Sequence, residues 1–377
     1  MDLGRRDLLV SATTIMLAAG IAPGALAQGG PGGRKLGYAI VGLGTYGLGV
    51  ITPQFRNCAN SRLAAVVSGD PAKARKVAAE HGLPERSVYS YETFDRIRGN
   101  PDVDIVYVCL PNSMHAEYVI RAARAGKHVM CEKPMAVSVA ECERMIAACK
   151  AANRKLMIGY RCHFEAYNLE AMRLARAGAA GKVRYVRSEH GFVQHNPEAW
   201  RLKRALAGGG SLMDMGIYSL QAARYMTGEE PVEVQAIEST DRNDPRFHEV
   251  EDQIDWQLRF PSGAVAACKS MYSANQNHVI LMGDTGRIEL EPATRYDGNH
   301  MWTGRDGRER EITPPPGPRP TQFAGQLDHM AECVVTGREP IVSGEEGLRD
   351  MRIVEAIYRS AREGRTIRLD GKSGGRA

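Results

Sequence analysis

The sequence predicts an α/β protein in two parts: a doubly wound parallel sheet, followed by an α+β half with a large, mostly antiparallel open sheet. Three observations predict it. Strand-like apolar runs alternate with helical stretches over residues 35–160, which is the βαβ pattern of parallel sheets. The first of these runs flows directly into Gly42-Leu43-Gly44-Thr45-Tyr46-Gly47, the glycine spacing of a turn that seats a pyrophosphate on a helix N-terminus. From about residue 183 the pattern changes, and strand-length segments follow one another with few helices between them.

In the first half, Lys35–Val41 reads as a strand, and the glycine turn opens a helix through Gln54 and Phe55. That context makes the first half a Rossmann-type dinucleotide-binding domain over residues 35–160. Leu63–Val67 is the second strand, followed by Ser68-Gly69-Asp70-Pro71-Ala72-Lys73. Asp70 ahead of Pro71 fits an N-cap with proline at the first helical position. If Asp70 caps, Ser68 and Lys73 are free to hold a 2′-phosphate and the cofactor is NADP; if Asp70 instead meets the ribose, it is NAD. Asp104–Leu110 is a buried strand that ends in Pro111-Asn112-Ser113-Met114-His115. This tip should pass near the cofactor, while His115 can equally cap the next helix. Ser138-Val-Ala-Glu141 is a capping box that starts a helix to about Ala152, and Lys155–Tyr160 closes the sheet.

The second half, residues 161–370, contains strand-length runs at Val183–Glu189, Val232–Ile237, Asp252–Leu258 and Ala264–Cys268. Several alternate apolar with polar residues, the mark of an antiparallel sheet with one solvated or partner-covered face. Such a face suggests a homo-oligomer. Pro314–Pro320 reads as a surface connection and Glu345–Gly364 as a closing helix.

Composition bounds the function. At 43% hydrophobic and 25% charged residues, 377 residues suit two globular domains. The net charge of +5 is spread rather than clustered, which argues against nucleic acid. The eight cysteines show no CxxC spacing, so neither a metal site nor a disulfide framework is indicated. Residues 1–27 read as an export signal. Gly4-Arg5-Arg6-Asp7-Leu8-Leu9 opens a glycine- and alanine-diluted apolar stretch that ends at Ala25-Leu26-Ala27, which matches a Tat signal and is too weakly apolar for a membrane anchor. Residues 28–34 form a glycine-rich leader. The expected location is the periplasm, reached through the Tat translocase.

Two stretches carry chemistry. Cys131-Glu132-Lys133-Pro134 follows the apolar run His128-Val129-Met130. A glutamate and a lysine at the carboxyl end of a parallel strand lie where open α/β sheets bind ligands. Lys-Pro also constrains the backbone there. Between the halves, Gly208-Gly-Gly-Ser211 leads into a helix on which Asp214 and Tyr218 are four apart and share a face. A carboxylate and a phenol near a lysine can form a proton-transfer group, because the cation favours the phenolate; as a helix pair alone, Asp and Tyr four apart are also consistent with plain structure.

Taken together these residues resemble the Gfo/Idh/MocA oxidoreductase family, in particular its glucose–fructose and aldose–aldose oxidoreductase branch. The likeness runs from Gly37 to about Arg368 through Gly37–Gly44, Leu110–Ser113, Gly126–Pro134, Leu156–His163 and Gly208–Asp214. Much of the wider family carries histidine where this chain has Tyr218. The resemblance implies that Lys133 and Tyr218 are a catalytic pair, with Asp214 alongside. It further implies that Gly42, Leu43, Gly44, Thr45, Tyr46, Ser68, Lys73, Tyr91, Leu110, Asn112, His115, Glu132, Lys133, Arg161, Trp200, Arg201 and Tyr296 surround a tightly bound NADP. Close relatives bear a long proline-rich arm ahead of the Rossmann domain, where this chain has about Gln28 to Lys35. Dimer versus tetramer therefore stays open.

The expected reaction is a ping-pong transfer on retained NADP. An aldose such as glucose becomes its lactone, and a second sugar, fructose or another aldose, becomes an alditol. The rivals are an NADP-dependent aldose dehydrogenase with exchangeable cofactor, a cofactor-retaining glycoside hydrolase of the same fold, and a sugar-binding module with a vestigial site.

Overall fold

The computed structural model of the protein describes residues 33–305, 307–317 and 319–369. The expected export signal and residues 28–32 of the leader lie outside them. The first sheet has six parallel strands: β1 (Leu36–Val41), β2 (Ser61–Val67), β3 (Val88–Tyr89), β4 (Ile105–Val108), β5 (His128–Cys131) and β6 (Leu156–Ile158). Their spatial order is β3-β2-β1-β4-β5-β6. The strand order reverses between β1 and β4, and a crevice for ligands opens outside the carboxyl ends at that point. All six residues of β1 are buried, as expected for a strand covered on both faces. Helices α1 (Pro71–Glu80), α2 (His115–Arg124) and α3 (Val139–Ala151) supply crossovers. Ser138 caps α3 by accepting from the Glu141 N–H at 3.3 Å, as its capping box predicts.

The segment after the glycine turn departs from expectation. It is helical, but Gly47–Ile51 has π spacing and Thr52–Asn57 has 3₁₀ spacing. Pro53 lacks the N–H that α-helical bonding would need there. The Thr52 hydroxyl bonds back to the Gly47 carbonyl at 2.7 Å.

The second half opens with α4 (Ala166–Arg176). It builds a nine-stranded sheet from β7 (Val183–Gly191), β8 (Glu233–Ser239), β9 (Gln253–Arg259), β10 (Val265–Met271), β11 (Gln276–Gly283), β12 (Gly286–Leu290), β13 (Met301–Arg305), β14 (Arg308–Glu311) and β15 (Ile367–Arg368). The order is β14-β13-β12-β11-β7-β10-β9-β8-β15, and β7/β10 is its parallel pair. Helices α5 (Arg204–Ala207) and α6 (Ile217–Thr227) fall between β7 and β8, and α7 (Gln322–Thr336) and α8 (Gly344–Glu363) between β14 and β15. On β9 the inner residues Ile254, Trp256 and Leu258 are buried. The outer face reads Gln235, Gln257, Ala267, Arg187, Ile280, Glu289, Trp302 and Glu311 in register across eight strands. Ile237 and Met282 are exposed on that face.

Helices α7 and α8 return to the first sheet. The Tyr38 hydroxyl donates to the Leu327 carbonyl at 2.7 Å, and Asp328 accepts from the Ala59 and Asn60 N–H groups at 2.7 and 2.9 Å. A buried ionic cluster pins α6 to α8. The Arg224 guanidinium meets Asp350, Glu346 and Glu230, and Gln221 donates to Asp350 at 3.0 Å. Burial drives the Asp350 carboxyl up, with the neighbouring Glu346 charge adding to it and Arg224 opposing.

Arg224→Met should therefore leave buried carboxylates without their cation, at a cost of about 3–5 kcal/mol. Urea titration at neutral pH should show that loss, and the deficit should shrink at pH 5 as Asp350 takes a proton. A deficit under about 1 kcal/mol would contradict the assignment of Arg224 as the cluster's counter-charge.

Candidate active site

A cleft of about 880 Å³ opens at the carboxyl ends of β1, β4 and β5, against the turn that precedes α6. Its floor is the glycine turn. Gly42 has φ +99°, and a Cβ there would lie 2.5 Å from the Cys109 carbonyl oxygen. A Cβ on Gly47 would lie 2.2 Å from the Gly42 oxygen, whereas one on Gly44 would meet nothing within 4 Å. The turn is thus packed below and open above, a cradle that fits a dinucleotide pyrophosphate.

At one end of the cleft stand Ser68, Lys73 and Tyr91. Asp70 caps α1, accepting from the Lys73 N–H at 3.0 Å, with Pro71 next in the chain. The Ser68 hydroxyl oxygen accepts from the Asp70 N–H at 3.1 Å, which leaves its proton to donate. Leu110 and Asn112 line the middle, and the Asn112 amide ties the β4 loop to the Ala207 carbonyl at 2.9 Å. His115 is a correction. It does not line the cleft but is fully buried. Its Nε2 meets the Leu110 carbonyl at 2.9 Å and its Nδ1 the Pro134 carbonyl at 3.0 Å. Burial lowers its pKa. It lies buried between the β4 and β5 tips, its one imidazole N–H donating to one of these carbonyls, instead of facing a ligand.

At the other end the β5 tip meets the turn before α6. The Lys133–Pro134 peptide is cis. Glu132 is buried, bonded to the Tyr107 hydroxyl and to the Lys133 N–H; burial raises its pKa against those bonds. A Cβ on Gly159 would press on Glu132 at 2.7 Å. The Lys133 ammonium donates to the Asp214 carbonyl at 2.6 Å and to its carboxylate at 3.1 Å, and sits 4.6 Å from the Tyr218 ring centroid. The Asp214 carboxylate also accepts from Arg201 Nε at 2.9 Å and the Tyr272 hydroxyl at 3.1 Å. Burial works against its ionisation, yet the Arg201 and Lys133 charges prevail and hold Asp214 at about 2.

Asp214 and Tyr218 do not share a regular α-helix, as their spacing predicts. Asp214 lies in a π-spaced turn, Leu212–Gly216, and Tyr218 in the first turn of α6. The carboxylate bonds Lys133, whose ammonium lies 4.6 Å from the Tyr218 ring centroid, and its other hydrogen bonds go to Arg201 and Tyr272. Arg161 closes the far side. Its guanidinium is buried, bonded to the Thr294 carbonyl at 2.6 Å and Gln322 at 2.7 Å. It lies 5.0 Å from the Tyr218 centroid and 4.8 Å from that of Tyr296. Arg201 stacks on Trp200 at 4.6 Å. The cleft therefore gathers every expected site residue except His115: Gly42, Leu43, Gly44, Thr45, Tyr46, Ser68, Lys73, Tyr91, Leu110, Asn112, Glu132, Lys133, Arg161, Trp200, Arg201, Asp214, Tyr218 and Tyr296.

Sequence reasoning missed Tyr272, Phe192, Asn277 and Thr294, which also line it. Asn277 holds Thr294 in place, its Oδ1 accepting from the Thr294 N–H at 2.7 Å. No local pattern marks these residues, which sit at or beyond strand ends distant in sequence. His278, Glu289 and Glu291 are grouped closely enough to hold a metal ion among the described residues, and they do not line the cleft.

Two family models match the chain. One is described as the oxidoreductase family's NAD-binding Rossmann fold, over residues 36–160, and the other as the same family's C-terminal alpha/beta domain, over residues 174–369. The chain is 61% identical to the crystal structure of an aldose–aldose oxidoreductase from Caulobacter crescentus complexed with glycerol. That match covers 89% of this chain and 100% of the other, with a TM-score of 0.88. It is 30% identical over 343 residues to a D-xylose 1-dehydrogenase [NADP(+)] of Haloarcula marismortui, covering 88% of this chain and 93% of the relative. A D-xylose 1-dehydrogenase (NADP(+)) of Haloferax volcanii is 32% identical over 335 residues, covering 87% of this chain and 98% of the relative.

The depressed Asp214 carboxyl sets an acid limb. Its folded pKa of about 2 lies below the ordinary 3.8, so its contribution is present above about pH 4 and lost as pH falls towards 2. That contribution is on the order of 2 kcal/mol. Urea titrations between pH 4 and 2 should show a steeper stability loss for the natural protein than for Asp214→Asn, by that amount. Parallel curves would refute the assignment.

Proposed function

The chain belongs to the Gfo/Idh/MocA oxidoreductase family, and on that premise we propose that it is an NADP-containing sugar oxidoreductase that passes hydride from one sugar to another. The convergence of Lys133 and Tyr218 on one cleft at the carboxyl ends of a dinucleotide-binding sheet carries this reading. When bound, the nicotinamide supplies the hydride acceptor for the first sugar and the donor for the second. Tyr218 takes the proton from the anomeric hydroxyl of an aldose, which leaves as its lactone. It returns a proton to the carbonyl oxygen of a second, open-chain sugar, which leaves as an alditol. Lys133 and Arg161 flank the phenol ring with positive charge at 4.6 and 5.0 Å, which favours the negative charge that develops on oxygen in either direction. Asp214 orients Lys133. The similarity to an aldose–aldose oxidoreductase supports the sugar–sugar cycle.

The cap on α1 supports NADP over NAD in this reading. One Asp70 oxygen is engaged by the Lys73 N–H, and although Asp70 also lines the cleft, Ser68 and Lys73 beside it offer a hydroxyl and an ammonium suited to a 2′-phosphate. The 30% identity to an NADP-dependent xylose dehydrogenase favours a second reading, in which the cofactor exchanges freely. We place the protein in the periplasm, on the strength of Arg5-Arg6 and Ala25-Leu26-Ala27. A compartment without an NADP pool needs a cofactor regenerated in place. The open face of the nine-stranded sheet, with Ile237 68% exposed, suits a second copy of the chain. Export should fail with Arg5→Lys and Arg6→Lys, read by fractionation, and light scattering should give a multiple of the monomer mass. Cytoplasmic retention of the natural protein, or a monomer, would refute these two assignments.

Denaturing the purified protein should release one equivalent of NADP. Glucose added without acceptor should produce one equivalent of enzyme-bound reduced cofactor, seen by its absorbance, and fructose or xylose should discharge it. Tyr218→Phe should retain the dinucleotide and lose about 10²–10⁴-fold in the rate of its reduction. Release of no dinucleotide, or no absorbance change with any aldose, would sink the proposal; turnover only with added NADP would favour the dehydrogenase.

A further inference from the structure

The last of the three glycines ahead of Asp214, Gly210, packs against a buried acid that the reaction itself does not use. Glu251 is 1% exposed. One carboxylate oxygen accepts from the Gly210 N–H at 2.8 Å, and the other from the Leu212 N–H at 3.0 Å and the Tyr358 hydroxyl at 2.8 Å. Its backbone carbonyl takes the Ser211 N–H at 3.3 Å. The turn Gly210–Leu212 is thus held by one residue through three successive N–H groups. Every side-chain contact is a donor, the complement of an ionised carboxylate.

The chain of bonds continues to the site. The Gly210 carbonyl accepts from the Asp214 N–H at 3.3 Å, and Asp214 holds the Lys133 ammonium at 2.6 and 3.1 Å. The neighbouring Asp252 fixes Asp214 from the other side. Its carboxylate accepts from the Tyr272 N–H at 3.0 Å, and the Tyr272 hydroxyl donates to Asp214 at 3.1 Å. The glycines follow from this arrangement. A Cβ on Gly210 would lie 2.1 Å from the Glu251 carbonyl oxygen, and one on Gly209 would lie 2.1 Å from the Tyr358 hydroxyl oxygen.

We propose that Glu251 is a positioning residue for the reaction, setting through the Gly210–Leu212 turn where Asp214 holds Lys133 beside Tyr218. It rests on the reading of Lys133 and Tyr218 as the reacting pair. Glu251→Gln would point an amide N–H₂ at backbone donors, and Tyr358→Phe would remove one donor while keeping the ring.

The test uses the purified full chain with its own cofactor and two readouts. The first is the single-turnover rate of cofactor reduction by glucose against the glucose concentration at half-maximal rate. The second is the rate at which acetic anhydride acylates Lys133 relative to the other lysines, read by mass spectrometry. Glu251→Gln should slow the turnover step about tenfold or more, leave the half-saturating glucose concentration within about threefold, and speed Lys133 acylation. Tyr358→Phe should move both readouts the same way by less. Turnover and Lys133 acylation unchanged in a folded Glu251→Gln variant overturn the proposal; if that variant does not fold, unchanged readouts in Tyr358→Phe overturn it. Should no aldose reduce the natural protein's cofactor, the proposed function fails, while the acylation rates still decide the positioning role.

Discussion

One ion pair joins the two halves at the place where chemistry is expected. Lys133 comes from the tip of β5 and Asp214 from the turn before α6, and their side chains are only 13% and 15% exposed. Charges this desolvated are tolerated when their remaining hydrogen-bonding capacity is filled. Here much of it is: Asp214 also accepts from Arg201 and Tyr272, and two of the three Lys133 N–H donors go to the Asp214 carboxylate and carbonyl. The pair therefore ties the β5 tip to the turn before α6. Tyr218, one turn along, is set beside Lys133 as a consequence.

The same pair explains which parts of the site were legible in the sequence. Gly42, Gly44 and Gly47 announce themselves because only backbone approach explains glycine at that spacing after a strand. Glu132 and Lys133 stand out because charge at the end of an apolar run has no packing purpose. Asp70 is readable as a cap because capping is local. Tyr272, Asn277 and Glu251 are not readable, since each acts on residues at least 16 positions away and sits at or beside a strand end with no local pattern to mark it. Their partners exist only once β9, β10 and β11 are in register with β7. His115 was misassigned for a related reason. A histidine after a strand tip has the same local signature whether it faces a ligand or straps two tips together. Full burial between two backbone carbonyls, at 2.9 and 3.0 Å from its ring nitrogens, sets His115 between the tips and out of the cleft.

Fold class was legible for the opposite reason: it depends on periodicity summed over many residues. Continuous apolar runs gave the parallel sheet, and alternation gave the open one. What periodicity could not give was the local winding. Pro53 and the close packing of Gly216, whose Cβ would sit 2.7 Å from Leu212 and 3.0 Å from Ser270, impose departures from α geometry on both helical segments that face the cleft. The expected i,i+4 pairing of Asp214 and Tyr218 fails there, because a π turn separates them.

The electrostatic balance of the cleft points the same way as its geometry. Lys133 and Arg161 flank Tyr218 and Arg201 lines the same cleft, against the ionised Asp214 and a Glu132 whose burial disfavours its charge. Asp214 is shared by Lys133 and Arg201, whereas Arg161 meets neutral acceptors among the described residues: the Thr294 and Arg295 carbonyls and the Gln322 amide oxygen. A buried guanidinium bonded to neutral acceptors keeps most of its field. That field falls on the ring of Tyr218 and on whatever oxygen stands against it. A site so biased stabilises an oxygen becoming negative, and does so in both directions of a proton transfer, because the charges are fixed by the fold rather than recruited at each step. Reversibility of that kind is what a cycle that oxidises one hydroxyl and reduces one carbonyl on the same groups demands of its pocket.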